Sequence, residues 1–165
     1  MTDSAQPRQV AVALVVSSAS LKSTPRFLVV GSRKHTGKFV LPKGGIEDGE
    51  TAQEAAERES WEEAGLKLGQ ALHLDHLTTL SDSKPHKSSP AQDPKDSAFV
   101  SSTIYNFELF VVQAEDDALA EDWPEKEERT RRWVDGWREL EDACCWGRRE
   151  DVMREAIRIA QSRLQ

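Results

Sequence analysis

From residue 9 to residue 16 the chain reads Gln-Val-Ala-Val-Ala-Leu-Val-Val, apolar on both alternating faces. That pattern predicts a strand covered on both sides. Arg26-Phe-Leu-Val-Val30 predicts a second strand, and the Ser, Thr and Pro of residues 17–25 predict a turn between the two. Phe39-Val-Leu41 predicts a short third strand ending at Pro42. The period then changes. Asp48-Gly49 is a turn signal, and Thr51 with Glu54 three residues later fits a capping box. Gly65 is a natural stop, so a helix is predicted over 52–64. Residues 72–80 read as a strand, and 81–97, with three Pro and many Ser, Asp and Lys, as a long loop. A β-rich stretch covers 99–113, and a last strand 131–135. A short helix is predicted at 137–144. Residues 149–163 are amphipathic, with Val152, Ala156, Ile159 and Ala160 on one stripe. Strands interleaved with single helices predict an α/β fold with a mixed sheet packed between helices.

At 165 residues the chain fits a single domain spanning 1–165, with about residues 1–7 as a flexible start. The 29 acids outweigh the 22 bases, for a net charge of −7. An acidic chain is a poor general binder of nucleic acid or anionic membrane, so no partner of either kind is expected. An anionic ligand needs a local basic patch. No apolar run reaches the length of a membrane span, and the polar start lacks the apolar segment of a secretory signal. The adjacent Cys144 and Cys145 offer neither a disulfide framework nor a metal spacing, which fits a reducing compartment, cytoplasmic or nuclear. The oligomeric state is left open.

Charge is segregated between residues 33 and 66. Arg33, Lys34, His35, Lys38 and Lys43 come without an acid; then Glu47, Asp48, Glu50, Glu54, Glu57, Glu59, Glu62 and Glu63 come with Arg58 as their one base. An ordinary solvated helix face would carry opposite charges at i+4, each pair stabilising it by about 0.2–0.5 kcal/mol. This helix nearly lacks them. At about 100° per residue, Glu59, Glu62 and Glu63 continue the face begun by Ala52, Ala55 and Ala56. Inward carboxylates without basic neighbours are costly unless a cation joins them. Hard divalent ions such as Mg²⁺ or Mn²⁺ take carboxylate oxygens. An acidic metal site beside a basic, glycine-containing loop suits a polyphosphate.

Gly44, five residues, Glu50, seven residues, then Arg58-Glu-Ser-Trp-Glu-Glu-Ala-Gly-Leu66 resembles the Nudix box, G-x5-E-x7-R-E-U-x-E-E-x-G-U, where U is bulky and aliphatic. Ser60 is the one departure, at a U position. The resemblance implies a Nudix α/β/α sandwich and Mg²⁺- or Mn²⁺-dependent hydrolysis of an organic diphosphate. It implies Glu59, Glu63 and the carbonyl of Lys43 as metal ligands. It also implies Glu62 as the residue that orients or deprotonates water, and Arg58 as the partner of a loop acid such as Glu50. Gly44 and Gly45 would let backbone approach metal and phosphate.

Further segments resemble the diphosphoinositol polyphosphate phosphohydrolases, which also cleave diadenosine polyphosphates: Arg8 before the first strand, Gly31-Ser32-Arg33 after the second, Phe39 to Gly45, and Asp122-Trp-Pro124 followed by Arg129-Thr-Arg-Arg-Trp133. This implies a small-molecule polyphosphate substrate gripped by Arg8, Ser32, Arg33, Lys34, Lys43, Gly44, Gly45, Arg129 and Arg131. Lys84 and His86 of the long loop could close over it. Two other readings stand beside this one. The first is Nudix action on ADP-ribose, an oxidised nucleotide or a cap. Against it, family members acting on ADP-ribose often carry a proline where this chain has Ser81. The second is a non-catalytic polyphosphate binder, which the loss of a box glutamate would mark; none is lost.

Overall fold

The computed structural model describes residues 6–67 and 71–165, so the start of the expected flexible segment lies outside the described residues. In chain order the elements are β1 (Arg8–Ser17), β2 (Arg26–Gly31), β3 (Phe39–Val40), β4 (Lys43–Gly45), α1 (Ala52–Ala64), β5 (Ala71–Pro85), β6 (Ser101–Ala114), β7 (Arg131–Asp135), α2 (Gly136–Cys144) and α3 (Glu150–Leu164). The strands form one mixed sheet with the path β3-β2-β1-β6-β5; β4 joins β1 and β7 joins β2. β1 and β6 run parallel, and the other pairs are antiparallel.

β1 is apolar on both faces because both are covered. Val12, Leu14 and Val16, with Phe27, Val29, Phe107 and Leu109, meet Leu140, Met153, Ala156 and Ile157 of α2 and α3. The alternate residues Ala13 and Val15, with Leu28, Val30 and Val112, pack with Ala64 and Leu66 at the end of α1, while Ala11 meets Ala55 and Ala56 at its start. Burying each large side chain contributes about 1.5–3 kcal/mol. The alanines on the α1 side let that helix approach the sheet closely, which brings its later glutamates down onto β4.

The sheet splits where the site forms. Val15 and Val16 pair with Leu28 and Phe27, after which β1 and β2 part. The Leu41-Pro42 connection fills the fork, with β3 paired to the end of β2 and β4 to the start of β1. Ala13 N–H donates to Pro42 O at 2.9 Å. β4 was not foreseen, since Lys-Gly-Gly carries no strand propensity; its partner β1 imposes the strand.

α1 has the expected bounds. Thr51 Oγ1 accepts from Glu54 N at 3.1 Å, and Gly65 at φ 71° closes the helix. The expected loop over 81–97 needs correction. β5 runs on through Pro85, paired to Ser101, so residues 81–85 are strand. Their polar composition is tolerated because Asp82 is held by arginines from the α2–α3 corner. No helix among the described residues is long and apolar enough to cross a membrane.

Candidate active site

β4, the turn after it and α1 form one cradle. An ideal Cβ on Gly44 would stand 2.7 Å from Glu59 Oε2 and nearer still to Oε1 and Cδ, so only glycine leaves room for that carboxylate. Arg58 ties the cradle together. Its Nε donates to Glu50 Oε2 at 2.8 Å and its Nη2 to Glu50 Oε1 at 3.0 Å and Gly45 O at 2.9 Å. Its Nη1 donates to Glu59 Oε1 at 2.7 Å and Glu62 Oε2 at 3.2 Å. The hydrogen bond from Arg58 holds the Glu50 carboxyl below its ordinary range, and those to Glu50 and Glu59 raise the guanidinium above its own.

The inward glutamates do have basic neighbours, contrary to the expectation from the helix alone. Arg58 contacts Glu59 and Glu62 as above, Arg129 Nη2 lies 3.4 Å from Glu63 Oε1, and the backbone N–H of Lys43 donates to Glu63 Oε2 at 3.3 Å. Arg129 comes from the segment before β7, which helix periodicity cannot see. Burial still dominates, raising the Glu59 carboxyl and pushing Glu63 up to about 8. A buried carboxyl in that condition gains from a further cation. Glu62 is 36% exposed, against 10% for Glu59 and 6% for Glu63.

Glu125 completes the group and was not foreseen. Its N–H donates to Glu62 O at 3.0 Å. Glu59, Glu62 and Glu125 each offer a carboxylate oxygen, all within 4.8 Å of one another. An all-oxygen anionic donor set, partly shielded from water, fits a hard divalent cation. The one available signal for Glu125 is its place just after Trp123-Pro124.

Beside this group opens a cavity of about 820 Å³. The β2–β3 connection contributes Ser32, Arg33, Lys34 and His35; Lys43 and Arg129 line the acidic side. Lys84 and Tyr105 come from the β5–β6 hairpin, and Trp146, Arg148 and Arg149 from the α2–α3 corner. No acid is among its described lining residues. Arg148 and Arg149 were missed from sequence, where Arg149 reads only as the first residue of the amphipathic stretch 149–163. The fold places them across from the box. Asp82 holds Arg148 at 3.0 Å and Arg149 at 3.3 Å, and the Arg149 guanidinium lies 4.9 Å from the centre of the Tyr105 ring.

Other expected residues stand elsewhere. Arg131 is committed to structure: Nη1 donates to Ala64 O at 2.9 Å, Nη2 to Ala120 O at 2.6 Å, and the guanidinium stacks 3.9 Å from the Trp123 ring. It is not among the cavity's lining residues, nor is His86, which bonds Ser88 within its own turn at 2.8 Å. Arg8 is exposed at the start of β1, in register with Tyr105. Gly44 and Gly45 lie in β4, on the box side rather than in the cavity wall.

The family model for the NUDIX domain matches residues 7–158. This chain belongs to the NUDIX family. The NUDIX chain is 36% identical over 124 residues to Nudix hydrolase 12, mitochondrial, of Arabidopsis thaliana, covering 74% of this chain and 54% of that protein. It is 32% identical over 152 residues to Nudix hydrolase 18, mitochondrial, of the same plant, covering 91% and 71%. It thus spans about half the length of several curated relatives it matches. Among solved structures, C. elegans Ap4A hydrolase superposes with a TM-score of 0.63 at 14% identity, covering 97% of this chain and 100% of the other. The E. coli dihydroneopterin triphosphate pyrophosphohydrolase gives 0.62 at 17%, covering 93% and 95%. At such identities these two show the NUDIX fold.

Proposed function

We propose that this NUDIX chain hydrolyses the terminal phosphoanhydride of an inositol pyrophosphate, releasing orthophosphate, with diadenosine polyphosphates as further substrates. The observation that carries the reading is the cavity beside the acid group. Among the described residues, seven cationic side chains from five separate segments line it. Cations converging from several directions suit a compact ligand with phosphates around its rim better than one with a single short diphosphate. A chain of the same fold is an Ap4A hydrolase, which makes dinucleoside polyphosphates the second class to test. No acid of the box is replaced, which favours an enzyme over a binding module.

Glu59 and Glu125, with Glu63 and the Lys43 carbonyl that the resemblance adds, would hold Mg²⁺ or Mn²⁺. Such an ion, when bound, offsets charge on the phosphate oxygens. Arg33, Lys43, Arg129, Arg148 and Arg149 bind and orient the phosphates by charge-assisted hydrogen bonds. Glu62, the most open of the three inward box glutamates, takes the proton of the attacking water at its carboxylate. Arg58 keeps Glu59 and Glu62 in place through the contacts given above. Water adds to the terminal phosphorus, the bridging P–O bond breaks, and orthophosphate leaves.

Purified chain with Mg²⁺ is offered an inositol pyrophosphate, diadenosine hexaphosphate and ADP-ribose separately. Turnover of the first two, lost in Glu62→Gln with the fold intact, supports the proposal. Turnover of ADP-ribose alone overturns it.

A further inference from the structure

The acid group and the cationic cavity share one carboxylate. Glu125 belongs to the group with Glu59 and Glu62, yet its Oε1 accepts from Arg129 Nε at 3.0 Å and lies 3.8 Å from Arg33 Nη1. Both arginines line the cavity. Arg129 is also held by Gly31 O, 2.9 Å from Nη1, and by Glu63. Three of its five donors are therefore directed to two carboxylates and a carbonyl rather than to a ligand. The Glu125 side chain is only 18% exposed, so little water screens its choice of partner. It cannot serve a guanidinium and a doubly charged ion equally. An ion at the acid group draws Glu125 and repels the neighbouring guanidinium at once.

We infer that Glu125 couples the two halves of the site: in the ion-free chain it masks Arg129 and Arg33, and on divalent-ion uptake it releases them to the polyphosphate. Glu125 is thus a positioning residue acting through Arg129. The inference rests on the polyphosphate reading of the cavity. It goes beyond that reading by stating that the cavity's own cations are withheld until the ion arrives.

The test is calorimetric binding of inorganic tripolyphosphate in EDTA, with no ion and no turnover. Glu125→Gln is expected to bind about fivefold or more tightly than wild type, because the one carboxylate shared by Arg129 and Arg33 loses its charge. Glu128→Gln removes the same charge from the other acid near Arg33, 3.9 Å away, but outside the acid group. It is expected to gain less than half as much. In an Arg129→Gln background, Glu125→Gln is expected to gain less than half as much as in wild type, the remainder being the share carried by Arg33. If melting curves show that Glu125→Gln is unfolded, Glu125→Ala is read the same way. Equal or weaker binding by the charge-removed variant, or an equal gain in Glu128→Gln, overturns the inference and leaves the cavity reading standing. If wild type binds no tripolyphosphate either in EDTA or with Mg²⁺, the cavity reading falls and the inference with it.

Discussion

Gly44→Ala places one methyl group against the Glu59 carboxylate. The added Cβ would lie 2.7 Å from Oε2 and closer to the other carboxylate atoms, where an ordinary contact needs about 3.5 Å. The carboxylate must therefore retreat by about 1 Å or more. Arg58 holds the crowded Oε1 at 2.7 Å, so the retreat strains the Arg58 network as well. Overpacking of this kind costs about 1–3 kcal/mol, which a domain of this size survives. Backbone strain adds nothing, since Gly44 is not among the positive-φ glycines. Metal–oxygen distances tolerate only about 0.2 Å, so the same displacement removes Glu59 from an ion's reach. Misplacement by 1 Å can cost a rate of order 100-fold. The expected result is a folded variant with a lowered melting temperature, Mn²⁺ affinity reduced at least about tenfold by calorimetry, and hydrolysis reduced about 100-fold. Gly45→Ala is the control: nothing lies within 4 Å of its added Cβ, so fold and Mn²⁺ affinity are expected to persist. Wild-type Mn²⁺ affinity in Gly44→Ala would refute the placing of the ion at Glu59.

Burial lifts the Glu63 carboxyl to about 8, above its unfolded value near 4.3. The folded chain thus holds this proton more tightly, so the stabilisation is complete below about pH 4 and lost as pH rises through about 8. The melting temperature of ion-free wild type should fall across that window more steeply than that of Glu63→Gln, and a shallower fall contradicts the assignment. Gly65→Ala forces a side chain into φ 71° with its Cβ 2.6 Å from Arg131 Nη1. A loss of about 2–4 kcal/mol, seen as a melting temperature lowered by more than about 4 °C, is expected; an unchanged melting curve would show that the helix end does not need glycine. Arg149→Ala should raise KM for the polyphosphate about tenfold with Mn²⁺ affinity unchanged, and an unchanged KM would remove the α2–α3 corner from the site.

What could be read from sequence follows the range of the interactions. The bounds of α1 were legible because Thr51, Glu54 and Gly65 specify its ends locally. The inward set of Glu59 and Glu63 was legible because helix periodicity continues the face of Ala55 and Ala56, and all four are buried. Arg148 and Arg149 were illegible: nothing within a few residues of them says that Asp82, on a strand 66 and 67 positions away, will hold them at the cavity. The same long-range pairing hid the end of β5, where polar residues resembling a loop remain in the sheet. Arg129 and Arg131 carry the same charge two residues apart, yet one lines the cavity and the other secures the end of α1. Strand alternation does not separate them, because Arg131 opens β7 while Arg129 lies in the segment before it, tied to Glu125 and Gly31; that segment's path is a tertiary fact.

The central claim is that an ion-dependent acid group and the basic cavity beside it together break a P–O–P link by attack of water. Its most direct test is turnover of an inositol pyrophosphate in ¹⁸O-labelled water, followed by ³¹P NMR with Mg²⁺ and again in EDTA. The account predicts that label enters the released orthophosphate, and that release ceases in EDTA. Equal release in EDTA, or label retained only on the inositol product, would contradict it.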